Sequence, residues 1–386
     1  MANLWHTAAM WLVFFSLGIL VYVYVGYPLF LALVGLLVRR PKASLGYVPT
    51  ISLLIAAYNE EAGIQKKLDQ TLALDYPPDK MEILVLSDCS TDRTDEIVNA
   101  CVDSRVKLIR APQRRGKTSA QNLGVESANG EVLIFSDATT VYHPLALQYL
   151  AANYADPKVG AVSGRYQYFD PEGTSPTGSG MIAFWNYENF IKSMQSRIRT
   201  ISGCCGCIYS VRRAAYTPLH PEVISDLVQP LWVIQKGYRV VFEDRALAYE
   251  ETTKSSKEEF SMRVRVVTRG IRGILSVPGL LNPMKHGWVS FQLLSHKVLR
   301  WVVPFFLLLL FVSNAVLWNH PWFGMLWAAQ LLFYGFALLT LLVPLHRIWK
   351  PLGIPLYFCT LNAAALRSIL EVIRGRKYVV WETVRS

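Results

Sequence analysis

Residues 51–60 read Ile51-Ser52-Leu53-Leu54-Ile55-Ala56-Ala57-Tyr58-Asn59-Glu60. A short apolar run stops abruptly at a polar tripeptide. A run of this length without alternation fits a strand buried on both faces. The residues that follow have helical character, with Ile64, Leu68 and Leu72 four apart. A strand running into a helix places polar side chains at the carboxyl end of a sheet, where open α/β folds bind ligands. The pattern then repeats. Strand-like runs at 82–87, 106–110 and 131–136 alternate with helix-like stretches at 61–73, 92–102 and 117–128. This spacing predicts an α/β domain with a mostly parallel sheet and helices on its faces. Further on, 159–166 reads as a strand, 182–194 as an aromatic helix, 203–213 as a glycine-rich loop and 226–236 as a helix. Short strands follow at 239–242 and 246–249.

Outside this domain the chain changes character. Of its 386 residues 52% are hydrophobic, and they concentrate at 10–38 and 301–345, neither of which holds an Asp, Glu, Lys or Arg. Both stretches are long enough to cross a bilayer. The first is too long, and lacks the charged leader, for a cleaved signal peptide. The net charge of +11 raises nucleic-acid binding as a reading. The basic residues argue against it, because Arg39-Arg40, Lys297 with Arg300, Arg347 with Lys350, and Arg374 with Arg376-Lys377 sit beside the apolar segments. That is the pattern of cytoplasmic loops and anionic lipid surfaces. Arg39, Arg40 and Lys42 put the N-terminus outside and the domain in the cytosol. The expected organisation is a transmembrane helix at 10–38, the α/β domain at 49–255, amphipathic interface helices at 256–298, two transmembrane helices within 299–345, a weaker hydrophobic segment at 351–373 and a basic tail at 374–386. A spanning 351–373 would leave the tail outside, against the charge rule, so a re-entrant or interfacial placement is expected, with a full span as the alternative. In 257–281, arginines alternate with Val and Ile, which reads as a basic helix lying on the membrane surface. The six cysteines carry no metal-ligand spacing and read as small reduced side chains.

Four polar motifs fall at predicted element ends: Tyr58-Asn59-Glu60, Ser87-Asp88-Cys89-Ser90-Thr91-Asp92, Gly116-Lys117-Thr118, and Ser136-Asp137-Ala138-Thr139. In a parallel sheet they converge on one rim. Carboxylates suit ribose hydroxyls and a divalent cation; a lysine and helix N-terminal amides suit phosphates. The rim is therefore built for a nucleotide diphosphate with a metal. A P-loop is excluded, because its first glycine would fall at Ala111.

With their order and spacing, these motifs resemble the membrane-bound branch of the inverting family 2 glycosyltransferases. Leu74-Asp75-Tyr76-Pro77 and Gly237-Tyr238-Arg239 add to the likeness, which covers about 50–255. The resemblance implies a GT-A fold with flanking transmembrane helices in a bacterial inner membrane. It also implies a nucleotide-sugar donor held by Ala57, Tyr58, Glu60, Asp88, Lys117, Ser136 and Asp137. Mg²⁺ or Mn²⁺ would sit on Asp137 and Thr139. The second aspartate of the family's Asp-x-Asp motif is Thr139 here, a poorer cation ligand. Asp226 falls where the family carries its general base; read alone, it could also cap the helix that follows. Arg263-Val264-Arg265-Val266-Val267 stands where processive members carry Gln-x-x-Arg-Trp, which counts against long-chain synthesis. The expected activity is transfer to a lipid-linked saccharide or glycolipid. A processive polysaccharide synthase and a non-catalytic nucleotide-sugar-binding protein are the rivals.

Overall fold

The computed structural model describes residues 2–38, 43–170, 175–253 and 255–380. Arg39, Arg40 and Lys42, on which the inside-outside expectation leans, lie outside the described residues, as do 381–386 of the tail.

Eight strands form one sheet: β1 (Ile51–Ala57), β2 (Met81–Ser87), β3 (Val106–Arg110), β4 (Val132–Asp137), β5 (Val141–Tyr142), β6 (Val159–Phe169), β7 (Ile208–Arg212) and β8 (Arg239–Glu251). Their order is β3-β2-β1-β4-β7-β6-β8-β5. All seven residues of β1 are buried. Leu53 and Ile55 face a core shared with Ile64 and Leu68 of the helix Ile64–Leu72, while Leu54 faces a second core with Leu84, Leu86, Leu133 and Phe135. Two apolar faces explain why the run shows no alternation.

The sheet is mixed: among the described residues four strand pairings are parallel, including all those among the four strands whose alternation with helices predicted a parallel sheet, and three are antiparallel. Strands β3, β2, β1 and β4 are parallel, but β7 runs antiparallel to both β4 and β6. β7 lies within the stretch read as a glycine-rich loop. The two short strands expected at 239–242 and 246–249 are one strand parallel to β6, with register shifts at Val159/Ala161 and at Ser163/Arg165, the second leaving extra residues of β8 between Phe242 and Leu247.

Among the described residues four helices are long and apolar enough to cross a membrane: Leu4–Leu37, Trp288–Val316, Pro321–Leu342 and Lys350–Ile373. The first docks on the domain through the helix Gly178–Ile198. Tyr27 and Leu31 pack on Ile191, and Gln195 donates to the Tyr27 hydroxyl at 2.8 Å.

The basic helix Ser256–Leu275 begins with a capping interaction, Glu258 N donating to Ser255 Oγ at 3.2 Å. It does not present all its arginines to a membrane surface. Arg269 is buried, donating to Thr118 Oγ1, Pro221 O and Val223 O, and Arg263 pairs with Glu259. The helix packs on the domain through Ile274, which joins Leu227 and Leu231.

The helix Ile354–Ile373 lies along it, with Ser368 Oγ donating to Val264 O at 3.1 Å. Both ends of this last helix meet the domain. Before it, Ser179 Oγ donates to Lys350 O; after it, Arg272 donates to Arg376 O and Lys377 pairs with Glu222 at 2.6 Å.

Candidate functional site

The parallel strands β2, β1 and β4 end side by side, so their carboxyl ends form one rim. Asn59 and Cys89, the residues at which the chain leaves β1 and β2, have φ of 52° and 63°. Non-glycine residues in this left-handed region carry strain and are held only where neighbours over-determine them. Here the two loops lock together. Thr91 N donates to Asn59 Oδ1 at 2.8 Å, Glu60 N to Thr94 Oγ1 at 2.8 Å, and Glu61 N to Asp92 Oδ2 at 3.0 Å. Asp88 is fully buried behind them. Its carboxylate accepts from Arg115 N and Gly116 N, both at 2.9 Å. Burial pushes its carboxyl up, while the two amides oppose that. Gly116, with φ of 86°, permits the turn that aims both amides at Asp88. That turn also starts the helix Lys117–Ser127.

In front of the rim is a cavity of about 680 Å³. Glu60, Lys117, Asp137, Thr139 and Asp226 all line it. Five residues from four separate segments of the chain thus meet in one space. Lys117 Nζ pairs with Asp137 and donates to Gly206 O at 3.1 Å. The other expected donor-site residues stand one layer back. Ala57 is buried within β1, Asp88 holds the Arg115–Gly116 turn, and the Tyr58 ring stacks under the Arg114 guanidinium at 3.7 Å. The Ser136 hydroxyl is buried, accepts from Lys67 Nζ at 2.9 Å and donates to Asp137 O at 3.2 Å. These bonds engage Ser136 in shaping the turn, behind the residues that line the cavity. Asp88 likewise holds a turn, each of its oxygens accepting from one backbone amide.

Asp226 sits in the first turn of the helix Ser225–Gln235 and caps nothing; the N-cap position is Ile224. A carboxylate there is favoured by the helix dipole. Its Oδ1 is buried without a hydrogen-bond partner. Burial raises its pKa, against the pull of Lys117 and Lys192. Gly206 leaves room for it: a Cβ there would come within 2.8 Å of Asp226 Oδ2.

Thr139 turns its hydroxyl to Glu250 Oε1 at 3.2 Å. Among the described residues no three His, Cys, Asp or Glu side chains form a ready metal cage. A Mg²⁺-like ion does not need one, since it binds through one or two carboxylates together with substrate phosphates. The hard oxygens of Asp137 and its neighbours fit that requirement.

Three features escaped the sequence. Lys67 is buried, donates to Ser136 Oγ and to Thr140 O at 2.6 Å, and has its pKa lowered to about 8 by burial. Its signal was a lysine on the apolar stripe of its helix, beside Ile64, Leu68 and Thr71. Glu188, on Gly178–Ile198, is buried against His296, Lys297 and Arg300 at the far end of the cavity. Glu250 gave no local signal. The lining drawn from the long helices and Gly178–Ile198 mixes Glu188 and its basic neighbours with Tyr24, Phe184, Trp301, Phe358 and Leu361.

Comparison with known proteins bears on the family and the fold. Residues 52–218 match the family model of glycosyl transferase family 2. The probable glycosyltransferase YdaM of Bacillus subtilis (strain 168) is 28% identical over 228 residues, which are 56% of this chain and 54% of that protein. Poly-beta-1,6-N-acetyl-D-glucosamine synthase of Staphylococcus aureus (strain COL) is 26% identical over 237 residues, 59% of this chain and 56% of that one. The chain thus spans about half the length of the curated relatives it matches. Among solved structures, the mannosyltransferase PcManGT from Pyrobaculum calidifontis, in complex with GDP-Man and Mn²⁺, aligns with a TM-score of 0.72 over 95% of this chain and 99% of that chain at 21% identity. That likeness is one of fold. Residues 52–218 therefore form a family 2 glycosyltransferase domain on a GT-A fold, flanked by long apolar helices.

Proposed function

We propose that the chain is a membrane-embedded inverting glycosyltransferase, moving a sugar from a nucleotide diphosphate to an acceptor presented at the membrane. One observation carries the reading. Lys117 and Asp137 share a cavity with Asp226, and the long helices add apolar and aromatic residues to its lining, Tyr24, Trp301, Phe358 and Leu361 among them. The first pair suits a diphosphate, the apolar lining a lipid-borne acceptor.

On this reading Asp226 accepts the proton of the acceptor hydroxyl as its oxygen attacks the anomeric carbon. The bond from that carbon to the diphosphate breaks in the same displacement, and the electron pair leaves with the phosphate. The raised pKa of Asp226 makes it a stronger base than an exposed aspartate. Lys117, anchored between Asp137 and Gly206 O, faces the departing charge in a partly dry site, where such contacts count most. Asp137 would hold a divalent cation, which when bound neutralises part of the leaving diphosphate.

The proposed topology follows from the helix ends. Leu4–Leu37, Trp288–Val316 and Pro321–Leu342 would span. The helix Ile354–Ile373 would lie at the interface, since both of its flanks contact the same domain. The test is release of nucleoside diphosphate from a panel of sugar nucleotides by the full chain in lipid nanodiscs, with membrane lipid extract as acceptor source. Turnover of one donor, with sugar recovered in the lipid fraction, is expected. Binding of a donor without turnover under any acceptor would favour a non-catalytic protein, and a ladder of products a processive synthase.

A further inference from the structure

Thr139 leaves the cavity one carboxylate short of what a diphosphate-bound cation commonly meets. The strand pairing brings another to the same place. β5 pairs antiparallel with β8, Val141 opposite Tyr249. One step outward along this register, Glu250 comes beside the turn that carries Asp137 and Thr139. Glu250 lines the same cavity as both. One of its oxygens accepts from Thr139 Oγ1 at 3.2 Å, and the other accepts from the Tyr166 hydroxyl. The Tyr166 oxygen in turn accepts from the Tyr168 hydroxyl at 2.9 Å. The carboxylate is thus held by groups on the turn and on β6, with its orientation set from two sides.

We propose that Glu250 supplies the second protein carboxylate of the divalent-cation site, in place of the aspartate absent at 139, with Thr139 and Tyr166 as positioning residues. This rests on the nucleotide-diphosphate reading above. The coordination chemistry fits. Mg²⁺ and Mn²⁺ take hard oxygen ligands, and two carboxylates with phosphate oxygens and water complete an octahedron. A hydroxyl on each oxygen of a carboxylate is the kind of support that orients a metal ligand. A purely structural role for Glu250, closing a hydrogen-bond chain between β6 and the turn, is the competing account. The two accounts separate at Glu250→Gln, because glutamine removes the charge while its oxygen still accepts from one of the two hydroxyls and its NH2 group can donate to the oxygen of the other.

The experiment measures Mn²⁺ uptake by the full chain in nanodiscs, through the loss of the free-ion electron paramagnetic resonance signal, with GDP or UDP present as probe. Nucleotide binding without metal is measured in parallel. Wild type is expected to take up Mn²⁺ with at least one nucleotide. E250Q is expected to bind it roughly ten- to a hundredfold more weakly, with metal-free nucleotide binding unchanged. E250Q combined with Thr139→Asp is expected to recover most of the loss. E250Q taking up Mn²⁺ as tightly as wild type overturns the assignment of Glu250 and leaves the donor site standing. Nucleotide binding with no Mn²⁺ uptake by wild type overturns the cation site as a whole. Binding of neither probe overturns the parent reading and this one with it. Should E250Q fail to fold, Glu250→Asp decides: a carboxylate withdrawn by one methylene is expected to weaken Mn²⁺ uptake several-fold with metal-free nucleotide binding unchanged, and uptake as tight as wild type overturns the proposal.

Discussion

Replacing Asp226 by asparagine tests the mechanism at its centre. The change is nearly isosteric, so it alters charge and basicity and little else. Asp226 Oδ1 has no hydrogen-bond partner, and burial raises its carboxyl. A carboxyl with a folded pKa above its unfolded value binds more protons folded than unfolded, so its ionised form costs stability at neutral pH. D226N is therefore expected to melt at or above the wild-type temperature. Losing a general base slows proton transfer by about 10² to 10⁴-fold, or about 2.7–5.5 kcal/mol of barrier. The expected result is a fall of that size in kcat, with donor KM little changed, because Lys117 and Asp137 remain in place. The pH profile gives an independent reading. Wild-type kcat/KM should fall on the acid side as Asp226 gains its proton, with the limb above the pH at which an exposed aspartate titrates. Initial rates of nucleoside diphosphate release in nanodiscs supply both measurements. D226N keeping a rate within about tenfold of wild type, below the smallest effect expected of a base, would refute the assignment. So would a wild-type acid limb at the position of an ordinary aspartate.

Three further outcomes follow from single contacts. Gly206→Ala puts a methyl group within 2.8 Å of Asp226 Oδ2; the carboxylate is the end of a side chain and can swing away, so kcat should drop while the melting temperature moves little. Lys67→Met strips donors from Ser136 Oγ and Thr140 O and should cost about 1–3 kcal/mol, read by denaturant unfolding. Because Lys67 titrates near pH 8 when folded and near 10.4 when unfolded, the unfolded chain holds the extra proton between these values. Wild-type stability should therefore rise relative to K67M as pH climbs through that window. Cysteine placed at Lys377, which pairs with Glu222, should react with an impermeant maleimide from the side of the membrane that also labels the catalytic domain. Labelling from the opposite side would make Ile354–Ile373 a fourth span.

How far the sequence could be read follows from where each signal lies. β1 was legible because burial on both faces erases alternation, and the rim motifs because each sits where a strand stops. β7 was not. Gly203-Cys204-Cys205-Gly206-Cys207 precedes it, and the apolar residues Ile208 and Val211 pair with β4 and β6 far away in the chain. The arginines of Ser256–Leu275 show the same limit. Their spacing marks an amphipathic helix, but the acceptors that draw Arg269 inward are Val223 O and Pro221 O, and backbone oxygens leave no trace in a hydropathy pattern. Glu250 is invisible for a related reason: its neighbour Thr139 is 111 positions away, and only the β5–β8 register joins them.

The last hydrophobic segment illustrates a physical tie that sequence rules resolve only when a contact is known. Lys350–Ile373 is long and apolar enough to span, yet Asn362, Arg367 and Glu371 interrupt it. Glu371 is fully buried and pairs with Arg367 and Arg376. A charged pair costs several kcal/mol per ion to hold away from water unless its geometry is good, and in lipid the cost rises. Packing the helix lengthwise on Ser256–Leu275 lets it cover the catalytic cavity with Tyr357, Phe358 and Leu361 while Glu371 stays among cations. On the proposed topology this helix is a roof over the site with its apolar side toward the bilayer. An acceptor held in the membrane would then reach Asp226 by passing between it and the spanning helices, without leaving the interface.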